Sequence, residues 1–263
     1  MTLFSSPLPV FRPARLPLVL GAMLVLTGCV VAPMDGPGPT VSESASVTMP
    51  QVDSNGPQVT PPAAPLMPSL FFAGGADSFQ AWRCTPAQDL VSVFTEDELR
   101  LWSAHGAYRL QPAVVASGAR FQQGDLSFWS KGDEAMVESA NGRLACQRDA
   151  TRKTLSRQDR PGVMFHARGN EPGWVANLAH DAPELTLLMD YGSRELTLPY
   201  RVTEMDNALG RVTLASGEAE QPFELTLEAR ACFDDMSGEP FPARATLAIG
   251  GQVLRGCGQG IAP

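Results

Sequence analysis

Ser117–Ala135 reads SGARFQQGDLSFWSKGDEA. Two short glycine turns, Ser117-Gly118 and Lys131-Gly132, flank a polar and apolar stretch from Ala119 to Phe128 that reads as strand. A hydroxyl at one turn and an ammonium at the other would then project from one rim of a small β structure. The two side chains stand fourteen positions apart. Taken singly, each dipeptide is ordinary turn chemistry. Phe121, Phe128 and Trp129 between them are ordinary packing material.

Working outward, short runs of β type recur on both sides of this stretch. Leu90–Phe94, Glu98–Trp102 and Gly106–Leu110 precede it, and Ala135–Glu138 follows. Asn141-Gly142 is a hairpin signal ahead of Arg143–Cys146. Short segments at this spacing indicate an antiparallel barrel or sandwich over residues 77–150.

Ser117-Gly118, Phe121 and Trp129-Ser130-Lys131-Gly132-Asp133-Glu134-Ala135 together resemble the signature of the membrane-bound inhibitors of c-type lysozyme, the MliC family. That family usually carries Tyr where this chain has Phe121. The resemblance spans residues 77–150, Cys84 and Cys146 included, and implies an eight-stranded antiparallel barrel stapled between its first and last strands. It also implies a c-type lysozyme as partner, with Ser117, Gly118, Phe121, Lys131 and Gly132 as the contact positions. No catalytic residue is expected of such a protein, and no nucleic-acid partner.

The start of the chain indicates a compartment. Arg12 and Arg15 precede an apolar run, Leu16–Leu26, too short to span a bilayer, and Leu26-Thr27-Gly28-Cys29 ends it. This resembles a bacterial lipoprotein leader over residues 1–28, with Cys29 as the lipidated residue and Val30 favouring the outer membrane, facing the periplasm. Residues 29–76 hold nine prolines among small polar residues and read as an extended linker. Without Arg12 and Arg15 the chain carries 18 basic and 28 acidic side chains, a net charge of −10. Only a small part of that falls on residues 77–150, so charge steers an encounter without naming the partner.

Four cysteines remain in an oxidising compartment and allow three pairings. The domain boundary between the pairs favours Cys84–Cys146 and Cys232–Cys257. No C-x-x-C occurs and the three histidines are scattered, so neither metal nor cofactor is expected.

Residues 151–160 read as a connector and 151–263 as a second antiparallel β domain. Period-two alternation runs through Glu184–Leu188, Glu195–Leu198, Arg211–Leu214, Phe223–Glu228 and Arg244–Ile249. An unbroken strand over 223–232 would set Cys232 among Glu224 and Glu228, which requires a bulge or an outward-facing disulfide. Gly169-Asn170-Glu171-Pro172-Gly173-Trp174 and Cys232-Phe233-Asp234-Asp235-Met236-Ser237-Gly238 resemble an uncharacterised domain of bacterial envelope lipoproteins, in which an aromatic often stands at the position of Gly173. Asn170, Glu171, Trp174, Asp234 and Ser237 are its candidate site, with Glu171 and Asp234 as possible paired carboxylates; turn chemistry beside a disulfide is the simpler account. The alternative to lysozyme inhibition is a structural or envelope-stress lipoprotein that binds peptidoglycan or another envelope component.

Overall fold

Two closed antiparallel barrels of eight strands each follow one another along the chain. The computed structural model describes residues 66–216 and 221–262; the leader, Cys29 and the linker up to residue 65 lie outside the described residues. The first barrel comprises β1 (Ser78–Thr85), β2 (Leu90–Phe94), β3 (Leu99–Trp102), β4 (Ala107–Ala113), β5 (Ala119–Gln123), β6 (Leu126–Lys131), β7 (Glu134–Ser139) and β8 (Gly142–Lys153). The stretch 119–131 is therefore a hairpin and not a single strand. Gly124-Asp125 forms its two-residue loop, with Gly124 at φ 56°, and Gln123 faces Leu126 across it. Thirteen residues in one strand would span about 43 Å and put the two glycine turns at opposite ends. The Gly-Asp turn folds the segment back on itself and returns them to one end.

Trp82, Leu90, Leu99, Leu101, Leu110, Phe121, Phe128 and Val137 fill the first barrel. The indole N–H of Trp82 donates to Ser92 Oγ at 2.9 Å, which satisfies two polar groups in that interior. Cys84 and Cys146 are direct cross-strand partners on β1 and β8, and their disulfide closes the seam between the first and last strands. The other face of β1–β3 is buried as well: Phe79, Val91, Val93 and Trp102 join the core of the second barrel. This two-sided burial accounts for the nearly uninterrupted apolar run Leu90–Phe94.

The second barrel consists of β9 (Val163–Asn170), β10 (Gly173–Ala179), β11 (Glu184–Met189), β12 (Arg194–Asp206), β13 (Arg211–Ser216), β14 (Phe223–Glu228), β17 (Ala243–Ile249) and β18 (Gln252–Gly260), closed by pairing of β18 with β9. The alternating runs read from sequence fall in β11–β14 and β17, with Leu185, Leu187, Leu214, Leu225, Leu227 and Leu247 inside. A small ribbon of β15 (Cys232–Phe233) and β16 (Pro240–Phe241) interrupts the series. β14 ends at Glu228, so Cys232 belongs to the ribbon and not to a long strand. Cys257 alternates with the inward glycines of β18 and faces outward beside Arg168 and Arg244. The Cys232–Cys257 disulfide thus straps the ribbon to the outer wall.

β18 carries Gly256, Gly258 and Gly260 on its inward face, each beneath an aromatic ring. A Cβ on these residues would lie 2.8 Å from Trp174, 2.7 Å from Phe165 and 2.6 Å from Phe72, respectively. Gly256 is the most constrained, because its Cβ would also stand 2.1 Å from the Arg168 carbonyl oxygen. Gly256→Ala should lower stability by about 1–3 kcal/mol, the usual cost of an overpacked core. Urea unfolding followed by tryptophan fluorescence would measure it; an unchanged midpoint would contradict this packing.

The chain from Leu70 to Phe72 is packed between the barrels and is not part of an extended spacer. Leu70 and Phe71 are buried, the Phe71 ring meets Phe165 edge-on at 5.4 Å, and Trp102 Nε1 donates to the Leu70 carbonyl at 2.9 Å. Three consecutive apolar residues, Leu70-Phe71-Phe72, supply the burial that the preceding proline-rich residues lack. Across the same junction Arg152 is only 9% exposed. Its guanidinium carbon lies 3.8 Å from the ring centre of Phe241 and 4.9 Å from that of Phe79, and its Nε donates to the Pro240 carbonyl. Burial brings its pKa down to about 10, so it stays charged at neutral pH and is stabilised by the two rings.

His166, on β9, is 4% exposed, with Nδ1 2.8 Å from Asn177 Oδ1. Burial first, then the charges of Arg160, Arg168 and Arg152, hold its pKa below the ordinary 6.5, against the Asn177 hydrogen bond. The unfolded chain therefore binds this proton more readily than the folded one. The stabilisation is complete above pH 6.5 and is lost as the pH falls through the lowered folded value. The unfolding temperature should drop between pH 7 and 5, and less so in His166→Gln. Equal pH slopes for the two proteins would remove His166 as the cause.

Candidate functional site

The hairpin β5–β6 carries both singled-out turns to one end of the first barrel. Ala119 pairs with Ser130 and Arg120 with Trp129, so Ser117-Gly118 enters β5 directly beside the point where Lys131 leaves β6. Ser117, Gly118, Lys131 and Gly132 are all exposed. Lys131 faces Glu134 across the two-residue loop Gly132-Asp133, and Gly132 has the positive φ of 64° that this turn requires. Asp133 in that loop is held by Arg148, which both donates its backbone N–H to the Asp133 carbonyl and forms a salt bridge with its carboxylate. Among the described residues Lys131 forms no salt bridge. Its ammonium has no hydrogen-bond partner among the described residues either.

Gly118 sits at φ 76° with no room for a side chain. A Cβ there would lie 2.3 Å from the Ser130 carbonyl oxygen and 3.1 Å from Trp129 Nε1. The turn is therefore pressed against the end of β6, and Trp129 Nε1 donates to the Ser117 carbonyl at 2.9 Å. Sequence reasoning treated Trp129 as packing. Its ring is 36% exposed on the outer face, two residues before Lys131. Beside it runs a groove of about 480 Å³ lined by Arg83, Trp129, Lys131, Glu134, Met136 and Ala145.

Phe121 does not belong to this surface. It is 8% exposed, points into the barrel and meets Phe94 edge-on at 5.6 Å. A ring alone suffices there, since a phenol hydroxyl in that interior would need a buried partner. Phe121 is corrected from contact residue to core residue.

Residues 82–144 match the family model of the membrane-bound lysozyme-inhibitor of c-type lysozyme, MliC. The first barrel is an MliC domain. The match ends within β8 and takes in both glycine turns, while the second barrel lies wholly outside it. No curated protein matches the chain.

Beyond the MliC barrel, the candidate residues of the second barrel separate into two groups. Asp234 is 6% exposed and accepts hydrogen bonds from the Ser237 N–H at 2.8 Å, the Ser237 hydroxyl at 2.9 Å and the Met236 N–H at 3.2 Å. Arg168 Nε stands 3.3 Å from its other oxygen. Burial alone would raise the Asp234 pKa. The bonds from Ser237 and Asn170 and the charge of Arg168 outweigh it and leave the pKa below the ordinary carboxylate value. Asp234 thus organises the Asp-Asp-Met-Ser-Gly turn with Asn170 and Ser237 as its partners.

Glu171 is exposed at the tip of the β9–β10 hairpin, whereas Asp234 is enclosed and engaged by the Ser237 turn. Trp174 is a core residue, 2% exposed, seated over Gly169 and Gly256. Gly173, where the resembling pattern often carries an aromatic, lies under the ring of Tyr191, whose Cδ1 would be 2.6 Å from a Cβ at that position. An aromatic from a different strand connection occupies the space. The sequence motifs of this barrel are packing and turn chemistry.

Proposed function

We propose that this protein is a lipid-anchored inhibitor of c-type lysozyme, with Ser117 and Lys131 entering the enzyme's catalytic cleft. Cys29 is the anchor site and the barrels face the periplasm from the outer membrane. The observation that carries the reading is the exposed Lys131 ammonium, without an ion-pair partner among the described residues, on the same barrel end as the Ser117 turn, within an MliC domain.

Lysozyme uses two carboxyl groups in different protonation states, one a general acid and the other ionised. A protein surface that covers them must supply donors, because a carboxylate buried without partners is costly. Ser117 offers one hydroxyl donor and Lys131 three ammonium donors. A positive charge beside the general acid also favours its ionised form, which cannot protonate a glycosidic oxygen. Occupation and charge act in the same direction.

The test is titration of the purified protein against a c-type lysozyme while cell-wall lysis is followed. Full lytic activity at micromolar protein would end this reading.

A further inference from the structure

We infer that Trp129 is a positioning residue of the inhibitory surface: its indole N–H pins the Ser117 turn and so fixes the Ser117 hydroxyl relative to Lys131. This rests on the functional reading above. The loop from Val114 to Gly118 joins β4 to β5 and is exposed apart from the half-buried Val115, Val114 completely so. Among the described residues, the bond from Trp129 Nε1 to the Ser117 carbonyl at 2.9 Å is the one hydrogen bond that reaches this loop outside strand pairing. Gly118 lets the turn approach β6 closely enough for that bond, with no space for a methyl group between them.

Trp129 and Lys131 are two residues apart on β6 and so share its outer face. One side chain therefore holds the first donor, and the strand that bears it carries the second. Without the indole bond the five-residue loop would sample many positions, and binding would have to order it. With it, the two donors are offered at a set separation before any partner arrives. The role needs an N–H at the ring edge, which among the aromatic side chains of this hairpin only tryptophan provides.

Trp129→Phe keeps an aromatic ring on the sheet and removes the donor. It should weaken lysozyme inhibition by about 3- to 10-fold, the effect of one net hydrogen bond, and leave the unfolding temperature unchanged. In a Ser117→Ala background the same substitution should have little further effect, while in a Lys131→Ala background its full effect should persist. Inhibition equal to the parent, or losses fully additive with Ser117→Ala, would overturn the inference. The backbone order parameters of residues 114–118, measured by NMR relaxation, give a readout free of lysozyme. They should fall in Trp129→Phe, and unchanged values would also overturn it. A parent protein that fails to inhibit while its Trp129→Phe variant loosens the loop would instead refute the functional reading and leave the pin standing.

Discussion

Lys131→Ala should weaken inhibition of a c-type lysozyme by roughly 30-fold or more, about 2–5 kcal/mol of binding, without lowering the unfolding temperature. The two halves of this expectation have separate grounds. In the free protein Lys131 is exposed and, among the described residues, forms no salt bridge, so the fold does not depend on it. In the complex its ammonium would be enclosed beside two carboxyl groups, and its removal would leave a buried carboxylate without its counter-charge. Ser117→Ala removes a neutral donor and should cost less, about 1–3 kcal/mol, as for an unsatisfied buried group. Parent-like inhibition by both variants would discard cleft insertion even if the protein still inhibited. Stopped-flow binding adds a second view, since loss of a buried pair should appear mainly as faster dissociation.

Removing the Cys84–Cys146 disulfide, as Cys84→Ala with Cys146→Ala, should cost about 4 kcal/mol by the chain-entropy argument. The bond links residues 62 apart in sequence and lies on the seam where the last strand meets the first. A barrel opened at this seam loses its most distant strand pairing, which is entropically the hardest to re-form. The Cys232–Cys257 bond spans 25 residues and straps a ribbon to an outer wall, so its loss should cost less, about 3.5 kcal/mol by the same argument. Urea unfolding of both double variants compares the two directly. A larger loss at Cys232–Cys257 would show that loop length does not rank the two bonds.

Much of the fold was legible because it rests on local alternation. The leucines of β11, β14 and β17 mark their inward faces by period two alone. The hairpin within 119–131 has a single local mark, Gly124-Asp125 inside the polar run Gln122–Asp125, and a strand drawn from Ala119 to Phe128 passes over it. The cysteine pairing followed from the domain order. The outward face of Cys257 did not, since it depends on a ribbon that leaves the barrel between β14 and β17.

The candidate site was legible as residues and not as a geometry. Ser117 and Lys131 could be named from their motif. The indole bond from Trp129 could not, because it joins residues twelve apart across a turn whose position only the closed barrel sets. Phe121 shows the converse, a motif residue whose burial no motif reports. In the second barrel, Asn170, Asp234 and Ser237 do converge, yet they satisfy one another. Convergence of polar residues is evidence of a site only when some of their hydrogen-bonding capacity remains unused.

Phe79, Val91, Val93 and Trp102 bind the fate of the first barrel to its neighbour. Cut free, the first barrel would present these four side chains to water as a contiguous oily patch and would tend to precipitate. Substitutions on the outer face of β2 therefore answer to the second barrel as much as to the first.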